Sequence, residues 1–328
     1  MRKQKLYILL LLLPTLVFAK KLADLPEVMR APTIHIAGER IFLCEEKTIH
    51  IYSLKDFRHI KQFCKEGDGP GEYKLYINLE VFPDILVVTS MGKMSTFTHD
   101  GELIKDYKIH PGILTMLQVG SNFVGSLFDK TGQKINLYDK NVELIKNIYE
   151  GGRGKTSYFE SGKKNDLIMV KDYVSPYVYN DKIFIFDTTK GFFVSVLDDK
   201  GGKIYEINGD YKRMPVDEEY KNKKMQIEKE DPNWEYYQKR YNYIFPEYFP
   251  AFRTAFLTDD KIYFITYKIV DKKHEIIVTD LRGNILRKTF IPPVPNDLLL
   301  YTINKERFYY LIENEDEEMW ELHVEDLK

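Results

Sequence analysis

The sequence predicts an all-β fold, a six-bladed β-propeller, from two repeated patterns. The first is a strand in which a polar pair precedes apolar and β-forming residues. Its six copies are ERIFLC at Glu39, PDILVV at Pro83, SNFVGS at Ser121, DKIFIF at Asp181, DKIYFI at Asp260 and ERFYYL at Glu306. The second is a polar turn after the following strand, of the Asp-x-x-Gly type at Asp198 and Asp280. A repeat of about 40 to 46 residues with three or four strands per copy is typical of β-propellers.

Alternating apolar residues and turn signals divide the chain into six blades. The innermost strands, which line the channel of a propeller, are predicted at residues 33–37, 76–82, 114–119, 167–173, 252–257 and 298–303. Blade six has only three strands before the chain ends. Because an unpaired sheet edge is a liability, we expect residues 22–29 to supply the missing outer strand and close the ring.

Two inserts interrupt the repeat. Residues 151–165 are polar and precede blade four. Residues 209–248 separate blades four and five, and apolar residues at helical spacing occur between 216 and 243, with a break at Asp231-Pro232. This spacing predicts two short helices that lie outside the propeller.

The loop EGDGPGEY, residues 66–73, has three glycines and a proline and leads into the inner strand of blade two. This loop, the turns at Asp100 and Asp280, and the segment PEYFPAFR (246–253) resemble the six-bladed β-propellers of the NHL-like type that are common among exported bacterial proteins. The resemblance covers nearly all of the chain after the leader. It implies the fold and export, but no activity, because the group has no common assigned reaction.

The first 19 residues are typical of a secretory signal peptide, with a basic start, an apolar stretch and a small residue at Ala19. The alternative is an uncleaved anchor, but the apolar run is about 14 residues, short of the ~20 that span a bilayer. We therefore expect an exported protein, periplasmic or secreted, whose residues 20–328 form one propeller domain without a transmembrane segment.

Composition excludes some classes of function. The chain has a formal net charge of −2, which becomes −5 without Arg2, Lys3 and Lys5, so a basic nucleic-acid surface is not expected. Cys44 and Cys64 are predicted on strands two apart in blade one, about 9–10 Å from each other. A disulfide needs a shorter separation, so we expect two free thiols. We also expect a monomer.

Polar residues on the predicted inner strands are the candidate ligand-binding residues of the channel. They are His35, Glu80, Gln118, Asp172, Arg253 and Tyr301. Arg253 is the residue that would face an anionic group. A channel that carries His35, Glu80 and Asp172 could hold a divalent cation, although the same residues could equally be solvated side chains that satisfy one another.

Aromatic residues are concentrated in the second insert. Trp234, Tyr237, Tyr241 and Tyr248 are candidates for binding a partner, since aromatic rings with polar handles suit sugars and protein surfaces. The alternative is that they only pack the helices against the propeller.

Two functions remain open. The first is an exported, non-catalytic propeller without a cofactor that binds a protein, peptide or glycan on the face that bears the second insert. The alternative is a metal-dependent hydrolase or lyase that uses carboxylates of the central channel. Fold alone does not decide between them.

Overall fold

The computed structural model describes residues 20–129, 132–151, 164–292 and 300–327. The predicted signal peptide and most of the polar insert at 151–165 lie outside the described residues. The described chain forms six four-stranded antiparallel sheets, and the innermost strands of consecutive sheets contact each other around a ring. The predicted six-bladed β-propeller is confirmed.

The strands follow the blades in chain order, except that β1 belongs to blade six. Blade one comprises β2 (Thr33–Ala37), β3 (Arg40–Glu45), β4 (Thr48–Ser53) and β5 (His59–Phe63). Two short strands, β6 (Lys65–Glu66) and β7 (Glu72–Tyr73), then pair with each other. Blade two comprises β8 (Asn78–Val81), β9 (Leu86–Ser90), β10 (Lys93–Phe97) and β11 (Leu103–Lys108). Blade three comprises β12 (Ile113–Val119), β13 (Asn122–Asp129), β14 (Gly132–Tyr138) and β15 (Leu144–Glu150).

Blade four is preceded by β16 (Asn165–Ile168). Blade four itself comprises β17 (Val174–Tyr179), β18 (Lys182–Asp187), β19 (Phe192–Leu197) and β20 (Lys203–Gly209), with a 3₁₀ turn at Thr188–Lys190. The second insert contains α1 (Glu218–Glu230), α2 (Trp234–Arg240) and β21 (Tyr241–Ile244). Blade five comprises β22 (Thr254–Thr258), β23 (Lys261–Val270), β24 (Lys273–Asp280) and β25 (Ile285–Ile291). Blade six comprises β26 (Tyr301–Asn304), β27 (Arg307–Asn314) and β28 (Met319–Asp326).

The ring closes through the start of the described chain. Strand β1 (Lys20–Leu25) pairs antiparallel with β28 and is the outer strand of blade six, with Leu25 opposite Trp320. The predicted closure is confirmed, although the strand begins and ends a few residues earlier than the expected 22–29. The chain then turns toward blade one, where the Glu45 carboxylate accepts hydrogen bonds from the backbone N–H groups of Met29 (2.9 Å) and Arg30 (2.8 Å).

The middle strands of the blades are buried on both faces. All the residues of β9 and β19 are buried, whereas the outer strands β11 and β15 are mostly exposed. Apolar clusters fill every interface between neighbouring blades. Because each blade packs against two neighbours, the sequences of its middle strands are nearly continuous apolar runs.

In blades four, five and six, the first residue of each polar pair and the residue before it form a tight hairpin turn between the first and second strands. The turn residues at 180–181, 259–260 and 305–306 all have positive φ, between +48° and +55°. A two-residue hairpin of type I′ requires positive φ at both central positions, which Asn and Asp tolerate better than most residues. The repeat therefore follows from backbone geometry at Asn180-Asp181 and Asp259-Asp260.

The Asp-x-x-Gly turns join the third and fourth strands. In blade four the Asp198 side chain accepts from the backbone N–H groups of Lys200 (3.0 Å) and Gly202 (2.6 Å). Gly201 has φ +70°, and a Cβ there would come within 2.3 Å of Ile148, on the outer strand of the preceding blade. The glycines at 101 and 283 approach the residues at 63 and 207 of their preceding blades in the same way. These turns therefore lock neighbouring blades together.

One strand assignment in blade four is wrong. The predicted inner strand, 167–173, is not part of the blade, because the inner strand is β17 at Val174–Tyr179. Residues Asn165–Ile168 instead pair in parallel with β21 of the second insert. A run of β-forming residues predicts a strand but does not identify its partner, and here the partner lies about 76 residues away in sequence.

The two predicted helices of the insert are confirmed, and they separate close to Asp231-Pro232. No residue of either helix is buried. The insert is attached mainly by β21 and by a small apolar cluster that includes buried Val216, before α1, and buried Phe249, after β21.

Both cysteines are free, as predicted. Cys44 lies on β3 and Cys64 follows β5, with β4 between these strands. Burial raises the pKa of the Cys44 thiol to about 12.

Replacing Leu25 with alanine tests the closure. Leu25 is 1% exposed and packs between blades six and one, so the L25A variant should lose about 2–5 kcal/mol of unfolding free energy. Urea unfolding of residues 20–328 measures this loss. The matched control is M29A, because Met29 lies in the same segment and is 77% exposed. Equal unfolding midpoints for the two variants would contradict the closure.

Replacing Gly201 with alanine tests the contact between blades. Positive φ alone costs about 1–2 kcal/mol, and the approach to Ile148 adds an overpacking cost of about 1–3 kcal/mol. Gly38 is the control, since it has φ +57° and no atom would lie within 4 Å of its Cβ. Thermal unfolding should show that G201A is less stable than G38A. An equal loss would mean that the turn does not lock the blades.

Glu321 predicts how the closure responds to pH. Its carboxylate accepts hydrogen bonds from Lys21 Nζ (2.7 Å) on β1 and from Asn314 Nδ2 (2.9 Å). The hydrogen bond from Lys21, followed by those from Asn314 and His323, lowers the pKa of Glu321 to about 2. Because the pKa is depressed in the folded state, this stabilisation is present above the unfolded value of about 4.3 and disappears as the pH falls toward 2.

The E321Q variant measures this effect. The difference in melting temperature between wild type and E321Q should be largest above about pH 5 and should vanish near pH 2. A difference that stays constant over this range would show that the charge of Glu321 does not contribute.

Candidate functional site

One candidate site is a cavity of about 680 Å³ between helix α1 and blade five, open to solvent. We call it the insert pocket. Its floor contains Phe249, Arg253, Tyr267 and His274. Tyr220, Lys223, Lys224 and Ile227 of α1 form one wall, and Ile269 lies near the tip of the β23–β24 hairpin. Residues 169–171, Met214, Asp217 and Glu219 complete the lining.

The floor combines a buried guanidinium with a neutral imidazole. Arg253 and His274 are each only 8% exposed. Burial, followed by the positive charge of Arg253, lowers the pKa of His274 to about 4. The His274 Nδ1 atom is buried and has no hydrogen-bond partner among the described residues. The floor therefore contributes a positive charge and a neutral imidazole to the pocket.

Aromatic rings hold the floor in place. The rings of Phe249 and Tyr267 stack at 4.4 Å, and Tyr220 contacts the edge of Phe249 at 4.8 Å. Burial raises the pKa of Tyr267 to about 12, against the effect of the positive charge of Arg253. Tyr267 is therefore a neutral hydroxyl at physiological pH.

The rim carries about equal positive and negative charge. Lys171, Lys223 and Lys224 line the pocket together with Asp217 and Glu219. The Asp217 carboxylate already accepts from the Tyr220 N–H (2.8 Å) at the start of α1. Lys224 pairs with Glu228 at 3.1 Å, whereas no ion pair to Lys171 or Lys223 is present within the described ranges. The excess positive charge of the pocket therefore comes from Arg253 on its floor.

Two predicted channel residues lie on inner strands and are half-buried. Burial raises the pKa of Glu80, on β8, to about 7 and lowers the pKa of His35, on β2, to about 4. Glu80 acts electrostatically on Tyr177 of blade four, two blades away around the ring. Because blades two and four are not neighbours, this interaction crosses the channel.

The other predicted channel residues are engaged elsewhere. Gln118 Nε2 donates to the Gly120 carbonyl at 3.4 Å. Asp172 was predicted on an inner strand, but this prediction is wrong. It lies in the loop before β17, where it pairs with Arg213 at 2.5 Å. Tyr301 lies on β26, but it is 2% exposed and packs in the core between blades five and six. Arg253 directly precedes β22 and lies on the floor of the insert pocket.

The structure does not bring His35, Glu80 and Asp172 together. Among the described residues, the group of acids close enough to share a metal ion is Asp24, Glu317 and Glu321, on the outside of blade six. The ammonium of Lys21 lies 2.6 Å from Asp24 and 2.7 Å from Glu321, so it already supplies positive charge there.

Three of the four predicted aromatic residues make ring contacts within the second insert. Trp234 and Tyr243 lie 5.3 Å apart, and Tyr237 lies 6.4 Å from Tyr241. Trp234, Tyr237 and Tyr241 are half-buried, whereas Tyr248 is 42% exposed. The rings thus pack mostly against one another within the insert, beside the pocket.

Sequence reasoning identified Arg253 but missed its neighbours. His274 is an isolated histidine in sequence, and Tyr220 and Ile227 read as ordinary residues of a helix face. One signal was available: β23 has ten residues and carries the apolar pair Ile269-Val270 at its exposed tip. An apolar strand that extends beyond its blade indicates that another element lies against it.

The chain resembles solved structures over most of its length. Against BF0058, a protein assigned as exported in Bacteroides fragilis, the TM-score is 0.55 at 13% identity, covering 95% of each chain. Against BamB from Moraxella catarrhalis, the TM-score is 0.46 at 9% identity, covering 94% of this chain and 100% of that one. No family model and no curated protein matches the sequence. The likeness to BF0058 supports the β-propeller fold alone.

Among the described residues, no helix is both long and apolar enough to cross a membrane.

Proposed function

We propose that this chain is an exported, non-catalytic binding protein of the NHL-like propeller type, and that a peptide segment of a protein partner occupies the insert pocket. The observation that supports this most is the pocket itself. Its volume of about 680 Å³ lies within the range of about 300–1,000 Å³ that is common for ligand sites. Its lining mixes apolar walls with a few convergent polar groups, which is the usual composition of such sites.

The pocket favours a peptide over a neutral glycan. Its walls carry Ile227 and Ile269, and its floor carries the positive charge of Arg253. Sugars are bound mainly through aromatic faces and hydrogen bonds, and the rings suited to that lie on the neighbouring patch around Trp234. A peptide can supply apolar side chains and negative charge together.

The proposal of export depends on the leader sequence. The alternative, a metal-dependent reaction in the channel, requires His35, Glu80 and Asp172 to lie together. Because Asp172 pairs with Arg213 and Glu80 lies on another blade, the described geometry gives no particular support to the metal-dependent hydrolase or lyase. The binding role therefore remains the better proposal.

Photo-crosslinking in the organism that produces the protein tests the binding role. Benzoyl-phenylalanine placed at Ile227 or Ile269, 40% and 58% exposed at the pocket, should give a discrete protein adduct. The same probe at Ile285, 62% exposed on the outer strand of blade five, is the control. Adducts that are absent, or identical from the pocket and the control position, would contradict the proposal.

A further inference from the structure

The floor of the insert pocket is built to receive a carboxylate. Arg253 is 8% exposed, and its positive charge acts on His274, Tyr220 and Tyr267. The guanidinium therefore lies among the pocket rings and not on the rim. A guanidinium presents paired donors that match the two oxygens of a carboxylate.

A second polar group is available beside it. His274 is also 8% exposed, lines the pocket, and has a buried Nδ1 without a partner among the described residues. A buried polar atom without a hydrogen bond is costly. A ligand with a hydrogen-bonding group next to its anion would satisfy this atom.

The walls require an apolar group at a short distance from the anion. Ile227 on α1 and Ile269 on β23 are 40% and 58% exposed, and both line the pocket. Burial of such side chains by a ligand is favourable in proportion to the apolar area covered. The ligand should therefore carry an apolar side chain close to its carboxylate.

On the basis of the proposed function, we infer that the insert pocket recognises the free C-terminal carboxylate of a peptide that ends in an apolar residue. The last residue of a chain carries a carboxylate, a backbone N–H and an apolar side chain on one carbon centre. These three groups correspond to Arg253, to His274 Nδ1 and to the Ile227–Ile269 walls. The cavity is open to solvent, so the preceding residues of the partner can leave past Lys171 and Lys223.

Neither an internal acidic residue nor a phosphate fits as well. An aspartate or glutamate uses its own side chain to carry the carboxylate, so the same residue has no separate apolar side chain for the walls. A phosphate site usually gathers several backbone N–H groups or a free helix N-terminus, whereas the start of α1 in this pocket is already capped by Asp217 and carries Glu219.

Matched peptide sets test the inference. Fluorescein-labelled five-residue peptides, degenerate at three positions and ending in Leu, Phe or Val, are titrated with residues 20–328 and followed by anisotropy. The free-acid set should bind, and the same set as C-terminal amides should bind at least about tenfold more weakly. Equal binding of the acids and the amides, or no binding of either, would overturn the inference.

Variants locate the effect in the pocket. R253M should remove the preference for the free acid, whereas R240M should keep it, because Arg240 stacks on Tyr236 of α2 away from the pocket. K223E provides a readout that does not depend on the buried arginine, since Lys223 is exposed on α1. This variant should weaken the binding of the free-acid peptides several-fold and should weaken the binding of the amides by a smaller factor. An unchanged preference in both pocket variants would overturn the assignment.

Two further arms separate this inference from its alternatives. Phenylbutyrate carries the same carboxylate and an apolar body without a peptide. If it binds as tightly as the peptide acids, the source is a small apolar acid, and the peptide assignment is overturned. If crosslinks form at Ile227 but the acids and amides bind equally, the binding function stands and the carboxylate inference falls.

Discussion

The structure depends on the burial of every blade by its two neighbours. Strands such as β9 and β19 are apolar on both faces, so a sheet that lost one neighbour would expose a full apolar surface to water. A row of such sheets is stable only as a closed ring. The first described strand completes the last blade for this reason, and Leu25 packs there against the Trp320 cluster.

The same constraint explains the repeated sequence. The hairpin turns need positive φ at positions such as 180 and 181, and the turns at Gly201 and Gly283 also need room for Ile148 and Ile207 of the preceding blade. Where glycine is absent, as in blade three, Val142 takes positive φ and packs at the interface instead. The repeat thus records contacts between blades as well as strands within them.

The insert is not subject to this constraint, and it forms the candidate site. Helix α1 has no buried residue, so it lies beside blade five without filling the space between them. The floor of that space is rigid, because Phe249 and Tyr267 stack and Arg253 donates its backbone N–H to the Ile265 carbonyl at 2.7 Å. A rigid floor under a less tightly packed helix suits a site that must admit a ligand.

Sequence alone determined the propeller, its blade number, the closing strand and the two helices. The blades and the helices depend on periodicity and turn chemistry in neighbouring residues. The closing strand is a distant pairing, and it was predicted because the last blade lacked a strand and its edge had to be paired. It also singled out Arg253 as a residue for an anion, although it placed Asp172 on an inner strand and missed His274.

Tertiary structure decided which distant segments meet. The pairing of β16 with β21, the ion pair of Asp172 with Arg213 and the meeting of Arg253, His274 and Ile227 join residues far apart in the chain. No local sequence pattern encodes such pairings. They form only after the ring has fixed the positions of blades four and five, between which the insert begins and ends. The ring could therefore be predicted from the sequence, whereas the pocket could be identified only in the folded chain.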